Sequence, residues 1–156
     1  MFFGLFDFGK KKRSKHMPDY DPHLIEKFKK EHEELVSYIG SIQEAMEQGV
    51  SGTGIVKNSL KHLRMQLLGH FMEEDIKLYW YMKEYYKEDP TAYDIVMTYE
   101  DSIKAIQKDI LKFFEHYSRD DVRLDAEYRR KFRQIVSELS DRVSSEEEHL
   151  YTLYRP

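Results

Sequence analysis

Six polar side chains fall at helical positions where the surrounding pattern is apolar: His32, His70, Glu74, Glu100, Arg142 and Glu146. His32 lies four residues after Phe28 and three before Leu35. His70 follows Leu67 by three, and Glu74 follows His70 by four, one turn further along the same face. Glu100 stands four after Val96 and three before Ile103, with Tyr99 competing for that inward place. Arg142 follows Leu139 by three, and Glu146 precedes Leu150 by four. A buried carboxylate left unpaired costs several kcal/mol, so these groups must pair with one another or with a cation. Two arrangements do so. In one, His32, His70, Glu74 and Glu146 bring two imidazoles and two carboxylates from three helices to a metal, with Glu100 as a further candidate ligand. Such a set suits iron, manganese or zinc, with water completing the shell. In the other, Arg142 and the carboxylates form a buried ion-pair network in which the histidines hydrogen-bond.

The remaining histidines fit this row less well. His62 edges the stripe one residue before Leu63, and His116 lies near a helix end, where it would complement the C-terminal dipole. Both are expected at the surface. His149 flanks the core, and His16 and His23 lie in or beside the N-terminal segment. Tyr79, Trp80 and Tyr81 read as bundle wall, with Tyr81 or Tyr99 able to bring a hydroxyl near the polar row.

Four helices must position these groups. The first opens at Asp21-Pro22, a capping residue followed by proline at the first helical position. Its stripe is Ile25, Phe28, Leu35, Val36, Ile39, Ile42 and Met46, and the glycine-rich stretch 49–54 ends it. The second covers about 55–86 with Leu60, Leu63, Leu67, Leu78, Tyr81 and Tyr85, stopped by Asp89-Pro90. The third covers about 92–116 and the fourth about 125–154. All four show the 3.6-residue period, and nothing alternates like a strand. Short connections make neighbours antiparallel, so the expected fold is an all-α, up-down-up-down four-helix bundle over 21–156. The bundle is made of two similar hairpins. Leu63, Leu67, His70, Glu74, Leu78 and Tyr79 correspond to Ile135, Leu139, Arg142, Glu146, Leu150 and Tyr151, each pair 72 residues apart.

Composition narrows the functional classes. With no cysteine, disulfides, thiolate ligands and cysteine nucleophiles are excluded. Hydrophobic residues at 40% and charged residues at 35% describe a helical protein with a polar surface, and no apolar run approaches a membrane span. The overall charge of −4 is uneven, because Lys10, Lys11, Lys12, Arg13 and Lys15 crowd the N-terminus and leave an acidic body. That body lacks the basic stripe of a nucleic-acid module. Residues 1–20 read as an arm in which the Phe-rich run 1–8 precedes the basic cluster. The order differs from a secretory signal and suits contact with a membrane surface or a protein partner. A cytoplasmic protein is expected, with possible peripheral contact at the inner membrane face through residues 1–16. Gly49 to Gly54 lacks the Gly-Lys-Ser/Thr ending of a phosphate loop.

The strings Glu31-His32-Glu33-Glu34-Leu35, His70-Phe71-Met72-Glu73-Glu74-Asp75-Ile76-Lys77-Leu78-Tyr79 and Glu146-Glu147-Glu148-His149-Leu150-Tyr151 resemble the hemerythrin-like, HHE cation-binding family over about residues 22–154. The resemblance implies a bundle holding a non-haem di-iron centre that binds or senses dioxygen, nitric oxide or redox state. Under it, His32 and His70 match terminal ligands of one iron, and Glu74 and Glu146 the bridging carboxylates. The places of the other iron's histidines hold Glu100, followed a turn later by Lys104, and Arg142, so only half of the family's set is present. Arg142-x3-Glu146 also resembles, more faintly, the regulator-of-sigma-D family of anti-sigma bundles. The expected function is therefore a metal-binding protein, iron first, in sensing or stress protection. The alternative is a metal-free bundle that acts by binding another protein. Nothing in the sequence demands turnover, so a binding protein is expected rather than an enzyme.

Overall fold

The computed structural model describes residues 17–49 and 53–156. The basic, Phe-rich segment 1–16 and the expectations attached to it lie outside these residues. Four long helices carry the chain: α1 (Leu24–Met46), α2 (53–85), α3 (Pro90–Tyr117) and α4 (126–153). None is long and apolar enough to cross a membrane. The third and fourth begin where a side chain supplies a missing acceptor. The Asp89 carboxylate accepts the Ala92 N–H at 3.2 Å, and Asp125 accepts the Tyr128 N–H at 2.9 Å, both as N-caps. Asp21 closes a preceding turn instead, accepting the His23 N–H on its side chain, so α1 starts two residues later than the Asp21-Pro22 signal suggests. After α1, Gly49 adopts φ +66°, a left-handed conformation that suits glycine and ends the helix.

The hairpins are antiparallel, as side-chain contacts along them show. α1 runs against α2 through Lys27–Glu73, His32–His70 and Tyr38–His62. α2 meets α3 at Lys83–Glu100 and Lys57–Tyr117, and α3 meets α4 at Tyr99–Ser145 and Phe113–Phe132. α4 closes the bundle on α1, from Tyr128–Met46 at one end to Tyr154–Asp21 at the other. The buried Lys57 ammonium donates to the carbonyls of Tyr117 (2.8 Å), Arg119 and Val122, tying α2 to the turn that launches α4. Tyr20, placed by sequence in the arm, instead stacks on Tyr154 with ring centroids 4.7 Å apart.

Two departures from regular α-helix matter for the site. α2 widens into a π-helical turn at Glu74–Tyr79 and α4 does so at Glu146–Leu150. A π turn bonds i to i+5, and the extra residue rotates everything that follows on the helix surface. The expected stripe Leu78, Tyr81, Tyr85 therefore shifts. Tyr86 is buried, its hydroxyl donating to the Leu153 carbonyl at 2.5 Å, and Tyr85 is 44% exposed. Val36, also assigned to the core by its spacing, is 62% exposed at the α1–α4 seam.

Phe28 is fully buried and meets the His70 ring edge-on at 5.2 Å. Truncation there opens a cavity beside the polar row. Phe28→Ala is expected to lower stability by about 3–5 kcal/mol in denaturant titration; a loss below about 1 kcal/mol would show that this packing is unimportant.

Candidate metal centre

Inside the bundle, three helices turn polar atoms toward one point. α1 supplies His32, α2 supplies His70 and Glu74, and α4 supplies Glu146, all buried, with one donor atom of each within 4.8 Å of the others. His32 Nε2 lies 3.1 Å from His70 Nε2 and 3.4 Å from a Glu146 oxygen, and His70 Nε2 lies 3.5 Å from Glu74 Oε2.

The outer nitrogens fix how these rings are protonated. His32 Nδ1 faces Glu147 Oε2 at 2.7 Å, and His70 Nδ1 faces Glu31 Oε1 at 2.7 Å. A carboxylate only accepts, so each Nδ1 carries the hydrogen. In two neutral rings, both Nε2 lone pairs would then point at each other across 3.1 Å, with two carboxylates beside them. Such a group needs positive charge at its centre, either a proton on one ring or a metal ion. Without metal the proton wins. Burial alone would lower the His70 pKa, but its hydrogen bond to Glu74, the Glu74 charge, the bond to Glu31 and the Glu146 charge outweigh it and raise it to about 9. For His32, burial is likewise outweighed, by Glu146 and Glu147, and the pKa rises. The carboxylates diverge. Burial and the Glu146 charge push Glu74 up, whereas in Glu146 the upward push of burial is overcome by His32 and Arg142.

The donor set fits one metal ion. Donors about 2.1 Å from a common ion stand about 3.0 Å apart at cis octahedral corners and about 3.4 Å apart in a tetrahedron, close to the 3.1, 3.4 and 3.5 Å of the three short pairs here. The carboxylate–histidine pairs Glu31–His70 and Glu147–His32 are the outer supports that metal-bound imidazoles commonly have. Glu74 Oε1 is buried and accepts no hydrogen bond, leaving a free oxygen at the site. A fifth polar atom, Tyr151 Oη, sits beside three of these groups, 2.9 Å from Glu74 Oε2, 3.3 Å from His32 Nε2 and 3.5 Å from a Glu146 oxygen.

Across the pseudo-two-fold axis the corresponding place is filled differently. Arg142, the counterpart of His70, donates through Nε to Glu146 Oε2 at 2.9 Å and through one terminal nitrogen to Tyr79 Oη at 2.7 Å and the Tyr99 carbonyl at 2.8 Å. Its guanidinium also lies 5.0 Å from the Tyr99 ring centre. A guanidinium keeps its proton, so this side already holds a fixed cation. The structure does not bring Glu100 to the row. Glu100 is buried on α3 but held by Lys83 at 2.9 and 3.0 Å and by Lys104 at 3.8 Å, an ion pair that removes it from the histidines. These residues do not fit a second metal ion.

His62, His116 and His149 are exposed, away from the row. The tyrosines nearest it are Tyr151 and Tyr79; Tyr81 instead donates to the Arg155 carbonyl at 2.6 Å, and the Tyr99 hydroxyl meets Ser145. Glu31, Glu147 and Tyr151 are the participants that apolar spacing missed. The Glu-x4-Tyr step repeated at Glu74–Tyr79 and Glu146–Tyr151 was the available signal, but five residues is out of phase on a regular α-helix.

Two outcomes follow from this geometry. Arg142→Leu orphans the Glu146 charge and should cost about 3–5 kcal/mol in the metal-free protein; a neutral effect on denaturant midpoint would contradict the ion-pair account. His70 has a folded pKa of about 9 against 6.5 for the free side chain, so protonation favours the fold. That contribution is complete below about pH 6.5 and is lost as pH rises through about 9. The melting temperature of metal-free protein should fall across this window, and less so in His70→Gln. An equal fall in both would remove His70 as the cause.

The hemerythrin HHE cation-binding domain matches residues 23–154, nearly the whole described bundle. No curated protein and no solved structure matches the chain. With the helical fold and the buried histidine–glutamate cluster, this match assigns the chain to the hemerythrin HHE cation-binding family.

Proposed function

We propose that the bundle holds one iron ion through His32, His70, Glu74 and Glu146 and serves to bind or sense dioxygen, nitric oxide or redox state. The observation that carries this reading is the pair of imidazole Nε2 atoms facing each other at 3.1 Å with two carboxylates around them. Histidine and carboxylate without thiolate suit iron, and manganese or zinc would compete for the same donors. When bound, iron supplies a redox-active Lewis acid.

The chain's own residues do the rest. Glu31 and Glu147 fix the ring orientations, and Arg142 holds Glu146 while adding positive charge beside the site. Two openings reach the row. One, of about 390 Å³ between α1 and α2, is lined by Glu31, Glu34, Gln66, His70 and Glu73, an acidic approach suited to a cation. The other, of about 260 Å³ between α1 and α4, is lined by Leu35, Val36, Ile39, Leu139, Val143 and His32, an apolar approach suited to a small uncharged molecule. The Arg142–Glu146 ion pair supports a second reading, in which the bundle carries no metal and acts by binding a protein partner, because it satisfies one carboxylate unaided.

Elemental analysis of protein purified without added metal separates the two. The metal reading expects about one iron per chain and a higher melting temperature after iron is added. Glu31→Gln, which weakens the support of His70, should reduce metal affinity about 10–100-fold. Metal-free protein whose melting temperature iron leaves unchanged would end this reading.

A further inference from the structure

We infer that Tyr151 is a fifth ligand, its phenolic oxygen binding the same ion as His32, His70, Glu74 and Glu146. The inference rests on the metal-binding reading above and adds to it the identity of one bond. Tyr151 Oη lies 2.9 Å from Glu74 Oε2, 3.3 Å from His32 Nε2 and 3.5 Å from Glu146 Oε1. These separations are no longer than those of the close pairs among the four proposed ligand atoms, 3.1, 3.4 and 3.5 Å. An ion within bonding distance of the three neighbours is therefore within reach of Oη. The hydrogen bonds of this hydroxyl all go to proposed ligands. The ring is buried, stacked on His32 at 5.9 Å with 13° between planes and packed on Phe28 at 6.1 Å, so the oxygen is held in place before any ion arrives.

The backbone gives an independent reason. On a regular α-helix, a residue five positions after Glu146 would point about 140° away from it. The π turn starting at Glu146 brings Tyr151 back to the side of that carboxylate. α2 repeats the device from Glu74 to Tyr79, where the outcome can be seen: Tyr79 Oη meets a cation, the Arg142 guanidinium, at 2.7 Å. At the pseudo-symmetric place the tyrosine oxygen faces the histidine side, where no guanidinium stands. A phenolate oxygen is an established iron ligand in proteins. As the oxygen–metal bond forms, the phenolic proton leaves to solvent and no electron is transferred.

The test loads full-length metal-free protein with ferric iron and records visible absorption and resonance Raman spectra. A phenolate-to-iron charge-transfer band with tyrosine ring vibrations is expected. The band should be lost in Y151F, kept in Y79F and missing from zinc-loaded protein. Iron bound at the site without phenolate vibrations, or a band that survives in Y151F, overturns the inference and leaves the metal-binding reading standing. Failure of the wild-type chain to bind iron removes both. Far-UV circular dichroism checks the fold of Y151F; if that variant does not fold, the wild-type Raman spectrum with survival or loss of the band in Y79F decides between tyrosines.

Discussion

Two imidazole nitrogens 3.1 Å apart, each with its other nitrogen committed to a carboxylate, form the constraint around which the bundle is organised. Neither lone pair can turn away, because rotating either ring would break a 2.7 Å charge-assisted hydrogen bond. Nor can the site stay empty of positive charge, since Glu74 and Glu146 add negative charge to the same small volume. The fold must hold three helices at fixed register to keep this confrontation, and the packing of Phe28 and Tyr151 against the rings supplies that rigidity. A proton resolves it at neutral pH, and a metal ion resolves it with more bonds. Function in this account is a competition between those two cations for one position.

The pseudo-two-fold symmetry explains why the resolution is lopsided. Each hairpin offers a glutamate at the start of a π turn and a tyrosine five residues later. On one side the remaining places are His32 and His70. On the other they are Glu100 and Arg142, with Glu100 drawn off by Lys83. A guanidinium brings its own charge and planar set of donors, so it satisfies Glu146, Tyr79 and the Tyr99 carbonyl without any ion. Where the family resemblance implies two metal ions, this chain pairs one candidate metal position with one permanent cation. Arg142 also orients the Glu146 carboxylate that faces His32, so the two halves remain coupled.

Most of the fold was legible in the sequence because apolar spacing survives the loss of all three-dimensional detail. The four helices and their antiparallel order follow from it, as does the placement of His32, His70, Glu74 and Glu146 on inward faces. What spacing could not convey was the local widening of two helices. Tyr85 was assigned inward and Tyr79 to the bundle wall, and Tyr151 was matched to Tyr79 without a place in the polar row, because a constant 3.6-residue period was carried through 74–79 and 146–150. The supporting carboxylates were hidden for a different reason. Glu31 and Glu147 are flanking positions in a charged sequence, and nothing in their spacing separates a side chain that reaches a buried ring from one that points to water. Glu100 shows the opposite case: its inward position was legible, but its partner Lys83 lies on another helix.

Anomalous diffraction at the iron absorption edge, from crystals of the protein grown with iron, tests the central claim most directly. The account predicts one peak per chain, about 2.0–2.2 Å from both His32 Nε2 and His70 Nε2, with no second peak beside Arg142 and Tyr79. Two peaks in the bundle, or a single ion bound elsewhere with the two rings still facing each other, would contradict it.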